Sequence, residues 1–231
     1  MAEIHSLFFD TIPSTNTYAK ENIGTLILPA LIIANGQTAG RGRQGKSFFS
    51  PCDTGLYMTL VFEAPKSCSL LTPAAAVNVC TVLQNYGVDP KIKWVNDIFV
   101  DGHKICGILT ECFSFEGKNY IALGIGINLT TAEFPDDLQI AGSAGIECDR
   151  QKLAFEISEN ILEYVYNPDD EHIINEYRKF LFILKKQITY SKNNISYSAT
   201  VIDINEQCNL IVERVDGSAD TLSSGEISIK I

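Results

Sequence analysis

The chain has 231 residues, 45% hydrophobic and 20% charged, with a formal net charge of −10. A chain of this length buries roughly 70% of its unfolded surface on folding, so no disulfide framework or structural metal is needed, and the acidic balance leaves no footprint for general nucleic-acid or anionic-membrane binding. No apolar run reaches the ~18 residues of a membrane span, Met1 to Asp10 carries no secretory signature, and seven cysteines without a C-x-x-C pair read as reduced, mostly buried thiols of a cytoplasmic protein.

Residues 4–10 read as a short strand. After the Pro13 loop, Ser14-Thr15-Asn16 are helix N-cap types ahead of a short helix to Glu21. Ala30 to Asn35 is a continuous apolar run, the pattern of a strand covered on both faces. Another strand opens at Gly55. Thr72-Pro73 reads as N-cap and first-turn proline of a helix to about Tyr86, stopped by Gly87. Lys91 to Leu129 reads as a meander of strands Lys91–Trp94, Ile98–Val100, His103–Phe115 and Asn119–Leu129, with tight turns at Asp101-Gly102 and Glu116-Gly117-Lys118. Two helices follow. Asp149 caps the first, whose Leu153, Ile157, Ile161 and Val165 repeat at helical spacing; the second carries a stripe from Ile173 to Leu184. From Gln187 the pattern becomes short strands, Ile188–Ser191, Ser196–Ile204, Leu210–Val215 and Glu226–Ile231, separated by Asn, Asp and Gly turns. The layout is α+β, with units expected at 1–184 and 185–231.

Three segments carry chemistry. Gly40-Arg41-Gly42-Arg43-Gln44-Gly45-Lys46 sets three cations among three glycines in an otherwise acidic chain. Glycine lets backbone N–H groups approach an anion and arginine supplies bidentate donors; the residues alone fit either a solvated surface loop or a phosphate clamp. In Lys93-Trp94-Val95-Asn96-Asp97 and the following Lys104, Lys104 reads as a turn-flanking lysine or a catalytic one, and Asn96 and Asp97 as an Asx turn or site residues. Gly107 leaves room beside the backbone for a ligand. Gly124-Ile125-Gly126-Ile127-Asn128 lacks the third glycine and the following helix of a dinucleotide fingerprint; paired strand glycines mark close backbone approach instead.

In order, Ser14-Thr15-Asn16, Gln37 to Gly45, Phe49-Ser50-Pro51, Lys93 to Asp97, Lys104 to Leu109 and Gly126-Ile127-Asn128 together resemble the biotin protein ligase family. Val95 stands where that family usually has proline, and Phe48 where it often has tryptophan. The resemblance implies a mixed β-sheet catalytic domain with helices packed on one face, followed by a small C-terminal SH3-like β-barrel. It also implies a biotin–[acetyl-CoA-carboxylase] ligase: ATP and Mg²⁺ convert biotin to biotinyl-5′-AMP, and biotin then passes to one lysine of a biotin carboxyl carrier domain. Only thirteen residues precede Ser14, so the helix-turn-helix of repressor members is expected to be absent and DNA is not expected as a partner; monomers and homodimers both occur in the family.

The same resemblance distributes the roles. Ser14, Thr15, Asn16 and Gln37 match positions around the biotin ring, with Gly40, Arg41, Gly42, Arg43, Lys104 and Gly107 completing the biotin site. Arg41, Arg43 and Lys104, together with Asn96, Gly126 and Asn128, match the ATP and adenylate site. Lys104 and Arg43 are the expected catalytic cations, offsetting repulsion between carboxylate and α-phosphate. Asp97 lies where the incoming lysine amine would be oriented or deprotonated. No metal ligands are expected from the chain itself. The rival readings are a lipoate protein ligase of the same fold, whose apolar acid has no use for the Ser14–Gln37 polar cluster, and a non-catalytic biotin- or nucleotide-sensing regulator, against which Lys104 counts. An RNA-binding use of the Arg-Gly loop fails on net charge.

Overall fold

The computed structural model describes residues 3–192, 195–223 and 228–230. Edge strand β1 (His5–Ile12) lies parallel to β2 (Ala30–Gln37), with α1 (Thr15–Glu21) between them in sequence. β3 (Gly55–Glu63) joins antiparallel, and α2 (Leu71–Asn85) leads into β4 (Lys91–Lys93), β5 (Asp97–Val100), β6 (His103–Phe115) and β7 (Lys118–Asn128). Because β7 folds back to pair with β3, the sheet runs β1-β2-β3-β7-β6-β5-β4 and is mixed, as expected. After α3 (Arg150–Tyr166) and α4 (Asp170–Phe180), strands β8 (Gln187–Lys192), β9 (Ile195–Ile204), β10 (Leu210–Arg214), β11 (Ala219–Leu222) and β12 (Ser228–Lys230) form a five-stranded antiparallel sheet.

Alternation along the central strands decides which helix covers which face. Leu31, Ile33, Leu56, Met58, Leu60, Leu123 and Ile125 are buried with α2, α3 and α4, while Ile32, Val61 and Ala122 are buried on the other side with Ala19 and Ile23. Three helices therefore share one face, but α1 departs from the one-face expectation. Its alanine and the isoleucine just beyond it need apolar cover, and the second set of strand side chains supplies it.

The Asp-Gly turn behaves as its chemistry dictates: φ is 48° at Asp101 and 80° at Gly102, and Glu116-Gly117 repeats this at 48° and 79°. α2 opens two residues earlier than expected, with Leu70 rather than Thr72 at its N-cap. The Thr72 hydroxyl is drawn instead to Thr110 Oγ1 at 2.7 Å. Its end is as expected, with Gly87 at φ 81° and the Val88 and Gly87 amides donating to the Leu83 and Gln84 carbonyls. α4 stops at Phe180, short of Leu184, because Leu181 leaves to bridge Ile92 on β4. The short β11 went unforeseen, and of the expected strand Glu226–Ile231 all but Ser228–Lys230 lies outside the described residues. Cysteine burial was overestimated: Cys52, Cys68 and Cys112 are exposed.

The two sheets share one apolar core. Trp94 Nε1 donates to the Cys208 carbonyl at 2.8 Å, the Tyr177 hydroxyl to the Val95 carbonyl at 2.9 Å, and Arg178 Nε to Asp203 at 2.7 Å. These bonds hold the Trp94–Asp97 turn, and with it the site, against the second sheet. Among the described residues no helix is long and apolar enough to cross a membrane.

Candidate active site

The site begins with missing side chains. On one face of the sheet, Gly124 and Gly126 of β7 and Gly107 of β6 leave a trough, Gly107 and Gly126 being direct cross-strand partners. Two side chains enter it. A Cβ on Gly124 would lie 2.1 Å from Asn16 Oδ1, and one on Gly126 only 2.5 Å from Phe48 Cε1. Asn128 is the next residue on the same face, so Asn16, Phe48 and Asn128 mark successive steps along β7. The Phe48 ring divides the trough into two lobes.

The first lobe is polar and uncharged at its floor. Ser14 caps α1 by accepting from the Thr17 amide at 3.4 Å. Gln37 Oε1 accepts from the Thr15 amide at 2.9 Å and the Thr15 hydroxyl at 3.2 Å, while its Nε2 donates to Ser50 Oγ at 2.9 Å. Fully buried Thr59 donates to Asn16 Oδ1 at 2.6 Å and lies 2.8 Å from Thr15 Oγ1. Behind it, Glu111 takes Lys20 at 2.8 Å, Asn16 at 3.0 Å and Arg41 at 3.2 Å. Burial pushes the Glu111 carboxyl up, but hydrogen bonds from Lys20 and Asn16, with the charges of Lys20 and Arg41, outweigh it and hold the group below the usual carboxylate range.

The second lobe is cationic. Lys104 Nζ lies 2.7 Å from Asp97 Oδ1. Arg43 donates to Asn96 Oδ1 at 2.9 Å, and Asn96 in turn donates to the Ile108 carbonyl at 2.8 Å. Burial lowers the Lys93 ammonium below the ordinary lysine value; Asp97 opposes the shift, and Lys104 and Lys46 add to it. The chain beyond β7 closes this end: the Lys104 amide donates to the Ile140 carbonyl at 2.7 Å and Asn128 Nδ2 to the Gly142 carbonyl at 3.0 Å. Among the described residues, Asn128 Oδ1 is a buried acceptor without a partner.

The glycine–arginine segment is a small hairpin across the top. Arg41 and Ser47 form an isolated bridge, the Gly42 amide donates to the Lys46 carbonyl at 2.7 Å, and the turn falls on Gln44 and Gly45 at φ 54° and 75°.

Every expected site residue except Gly40 borders one cleft of about 430 Å³. Gly40 is buried behind it, where a Cβ would come within 2.4 Å of the Phe48 carbonyl oxygen; its role is close packing of the hairpin base. Arg41, expected at the phosphate, has its guanidinium on Glu111, leaving Arg43 as the loop arginine beside Asn96 and Asp97. Val95 takes the place expected of proline with its side chain buried and the Trp94–Val95 peptide cis. Thr59, Ser50, Glu111 and the Phe134–Ala141 wall were missed. Thr59 had a signal, as the polar residue enclosed by the run Leu56 to Phe62, where a buried hydroxyl must find partners. Glu111 and the wall carry none.

No group of three or more His, Cys, Asp or Glu side chains among the described residues is placed to hold a metal.

The chain matches the profile of the biotin/lipoate A/B protein ligase family over residues 8–128. The bifunctional ligase/repressor BirA of Escherichia coli K12 is 33% identical over 153 residues, 62% of this chain and 48% of that protein. The biotin–[acetyl-CoA-carboxylase] ligase of Mycobacterium tuberculosis is 30% identical over 154 residues, 61% of this chain and 56% of that one. The chain thus spans about half the length of these relatives. A biotin protein ligase from Aquifex aeolicus, solved with biotin and ATP, superposes with a TM-score of 0.82 at 21% identity and 98% coverage of both chains.

Proposed function

This chain belongs to the biotin/lipoate A/B protein ligase family, and from that premise we propose that it is an ATP-dependent biotin protein ligase. It forms biotinyl-5′-AMP and then passes biotin to a lysine of a biotin carboxyl carrier domain. The observation that carries this reading is the division of one cleft by Phe48 into an uncharged polar lobe and a cationic lobe. A neutral ureido ring needs donors and acceptors in a largely apolar pocket, which Ser14, Thr15 and Gln37 offer. A nucleotide needs cations, which Lys104 and Arg43 offer. The two ligands meet beside Phe48, where a Cβ on Gly107 would lie 3.1 Å from that ring and 3.5 Å from Lys104 Cε.

In the first step a biotin carboxylate oxygen attacks the α-phosphorus and pyrophosphate leaves. Lys104 and Arg43 stabilise negative charge gathering between the two anions, a role worth several kcal/mol in a shielded site. In the second, the carrier lysine's amine attacks the acyl carbon, AMP leaves, and the amine gives up a proton. Asp97 first holds the Lys104 ammonium and is then the nearby acceptor for that proton. The unpartnered Asn128 Oδ1 suits the exocyclic amino group of adenine. Mg²⁺ arrives with the nucleotide as MgATP. We assign residues 1–184 to the catalytic domain and 185–231 to an SH3-like barrel, supported by the bend at Lys185, φ 61°, and the antiparallel strands that follow; the protein acts in the cytoplasm, as monomer or homodimer.

Pyrophosphate release from MgATP, measured with biotin, lipoate and octanoate side by side, tests the reading. Release with biotin is expected. Release only with lipoate or octanoate moves the chain to the lipoate branch, and none with any acid rejects adenylation.

A further inference from the structure

We propose that Glu111 is a positioning residue, a latch that fastens the glycine–arginine hairpin to α1 through Arg41 and fixes the polarity of the first lobe; this rests on the ligase reading only where the adenylate is concerned. An ionised carboxylate accepts and cannot donate. Glu111 spends that capacity on donors from α1 and from the hairpin, Lys20 and Asn16 on one side and Arg41 on the other.

Two consequences follow from the bonds themselves. The first is directional. Because Glu111 takes the Asn16 amide NH₂, Asn16 Oδ1 must face Thr59, whose single hydroxyl proton goes to it at 2.6 Å. The single proton of Thr15 is then shared between Thr59 Oγ1 at 2.8 Å and Gln37 Oε1 at 3.2 Å, Gln37 donates to Ser50, and Ser50 Oγ donates to the Phe48 carbonyl at 3.0 Å. A pure acceptor at one end thereby sets donor and acceptor order up to the ring that divides the cleft.

The second is mechanical. Arg41 and Ser47 are paired across the hairpin stem, and Phe48 follows directly. Holding Arg41 holds the stem, and so the ring over Gly107 and Gly126. The hairpin's other side-chain anchor, Arg43 on Asn96, stands at the cationic lobe where an arriving phosphate competes for it. The Glu111 anchor lies away from that competition.

The experiment compares wild type, Glu111→Gln, Arg41→Gln and the double variant, with thermal midpoints recorded for each. In the ligand-free protein, amide exchange at Gly42 and Phe48 is expected to rise about fivefold in each single variant, the ceiling for a half-exposed ion pair. The double variant should be no faster than the faster single, because both lose one shared interaction. With biotin and MgATP, adenylate dissociation should quicken by the same factor in Glu111→Gln, whose kcat for pyrophosphate release stays within about twofold of wild type. Unchanged exchange in Arg41→Gln, or additive effects in the double variant, overturns the latch; Arg41→Gln decides alone if Glu111→Gln does not fold. Wild type that releases no pyrophosphate with biotin rejects the ligase reading, and the exchange measurements still judge the latch.

Discussion

Gly126→Ala puts one methyl beneath the dividing ring. Its Cβ would stand 2.5, 2.8 and 3.0 Å from three Phe48 ring atoms, against an ordinary carbon–carbon separation of about 3.5–4.0 Å. The ring must lift by about 1 Å or swing out, and it can, because Phe48 ends a hairpin rather than sitting in the central core. A half-buried phenylalanine that leaves its seat forfeits about 1–1.5 kcal/mol, half the value of a fully buried ring. Closure over the acid should then weaken about tenfold, read as a rise in KM for biotin in the pyrophosphate assay with the thermal midpoint nearly unchanged. Gly107→Ala, where the approach is 3.1 Å, should cost less. Phe48→Ala alone should match Phe48→Ala combined with Gly126→Ala, since the methyl then meets nothing. If Gly107→Ala proves the more harmful, or the double variant is worse than Phe48→Ala, the ring is not what the glycines accommodate.

Lys104→Ala should lower kcat at least about a hundredfold, more than it weakens biotin binding, because the charge is wanted most in the transition state; a variant of near-normal turnover returns Lys104 to a surface role beside Asp97. Trp94→Phe strands the Cys208 carbonyl and should cost about 1–3 kcal/mol, a fall of several degrees in the thermal midpoint, whereas an unchanged midpoint would deny that this bond ties the sheets together. Glu111 titrates lower in the fold than in the unfolded chain, so its contribution is complete above the unfolded value of about 4.3 and disappears as pH falls through the folded one. The midpoint gap between wild type and Glu111→Gln should therefore stay constant from pH 8 to about 5 and shrink once pH falls below the unfolded carboxylate value; a gap that widens on acidification has the sign wrong.

Where a residue's own chemistry decides its conformation, the sequence was readable. Asp101-Gly102 can serve as a two-residue turn because its φ angles are accessible, and Gly87 stops α2 because a left-handed residue is needed there. Boundaries set by a distant partner were not readable. Thr72 has every local reason to cap α2, and it is Thr110, on β6, that draws its hydroxyl away. Leu181 and Leu184 continue a helical stripe, and α4 ends because β4 offers a bridge. The site follows the same rule. Its glycines signalled close backbone approach without saying what approaches, and Asn16 and Phe48 come from 108 and 78 positions before Gly124 and Gly126. An acid isolated within β6, such as Glu111, has no spacing that distinguishes it from a solvated one until α1 and the hairpin are folded against it.

On the proposed reaction, the distribution of charge lets a net-acidic chain serve two anions. Before ligands bind, the cleft's ion-paired cations are held by its own carboxylates, Lys104 by Asp97 and Arg41 by Glu111. The two pairs differ in what an arriving phosphate does to them. Glu111 keeps Lys20 and Asn16 whatever happens to Arg41, so its carboxylate stays compensated and its anchor persists. Asp97 has Lys104 at 2.7 Å, and a phosphate that claims the same ammonium competes with that pair. On the proposed reaction, adenylate formation thus releases a carboxylate where the second substrate must lose a proton. On that proposal the order of the two half-reactions is reflected in one ion pair: the Asp97 carboxylate is occupied by Lys104 before the anhydride exists and open to the incoming amine once the phosphate has taken its partner.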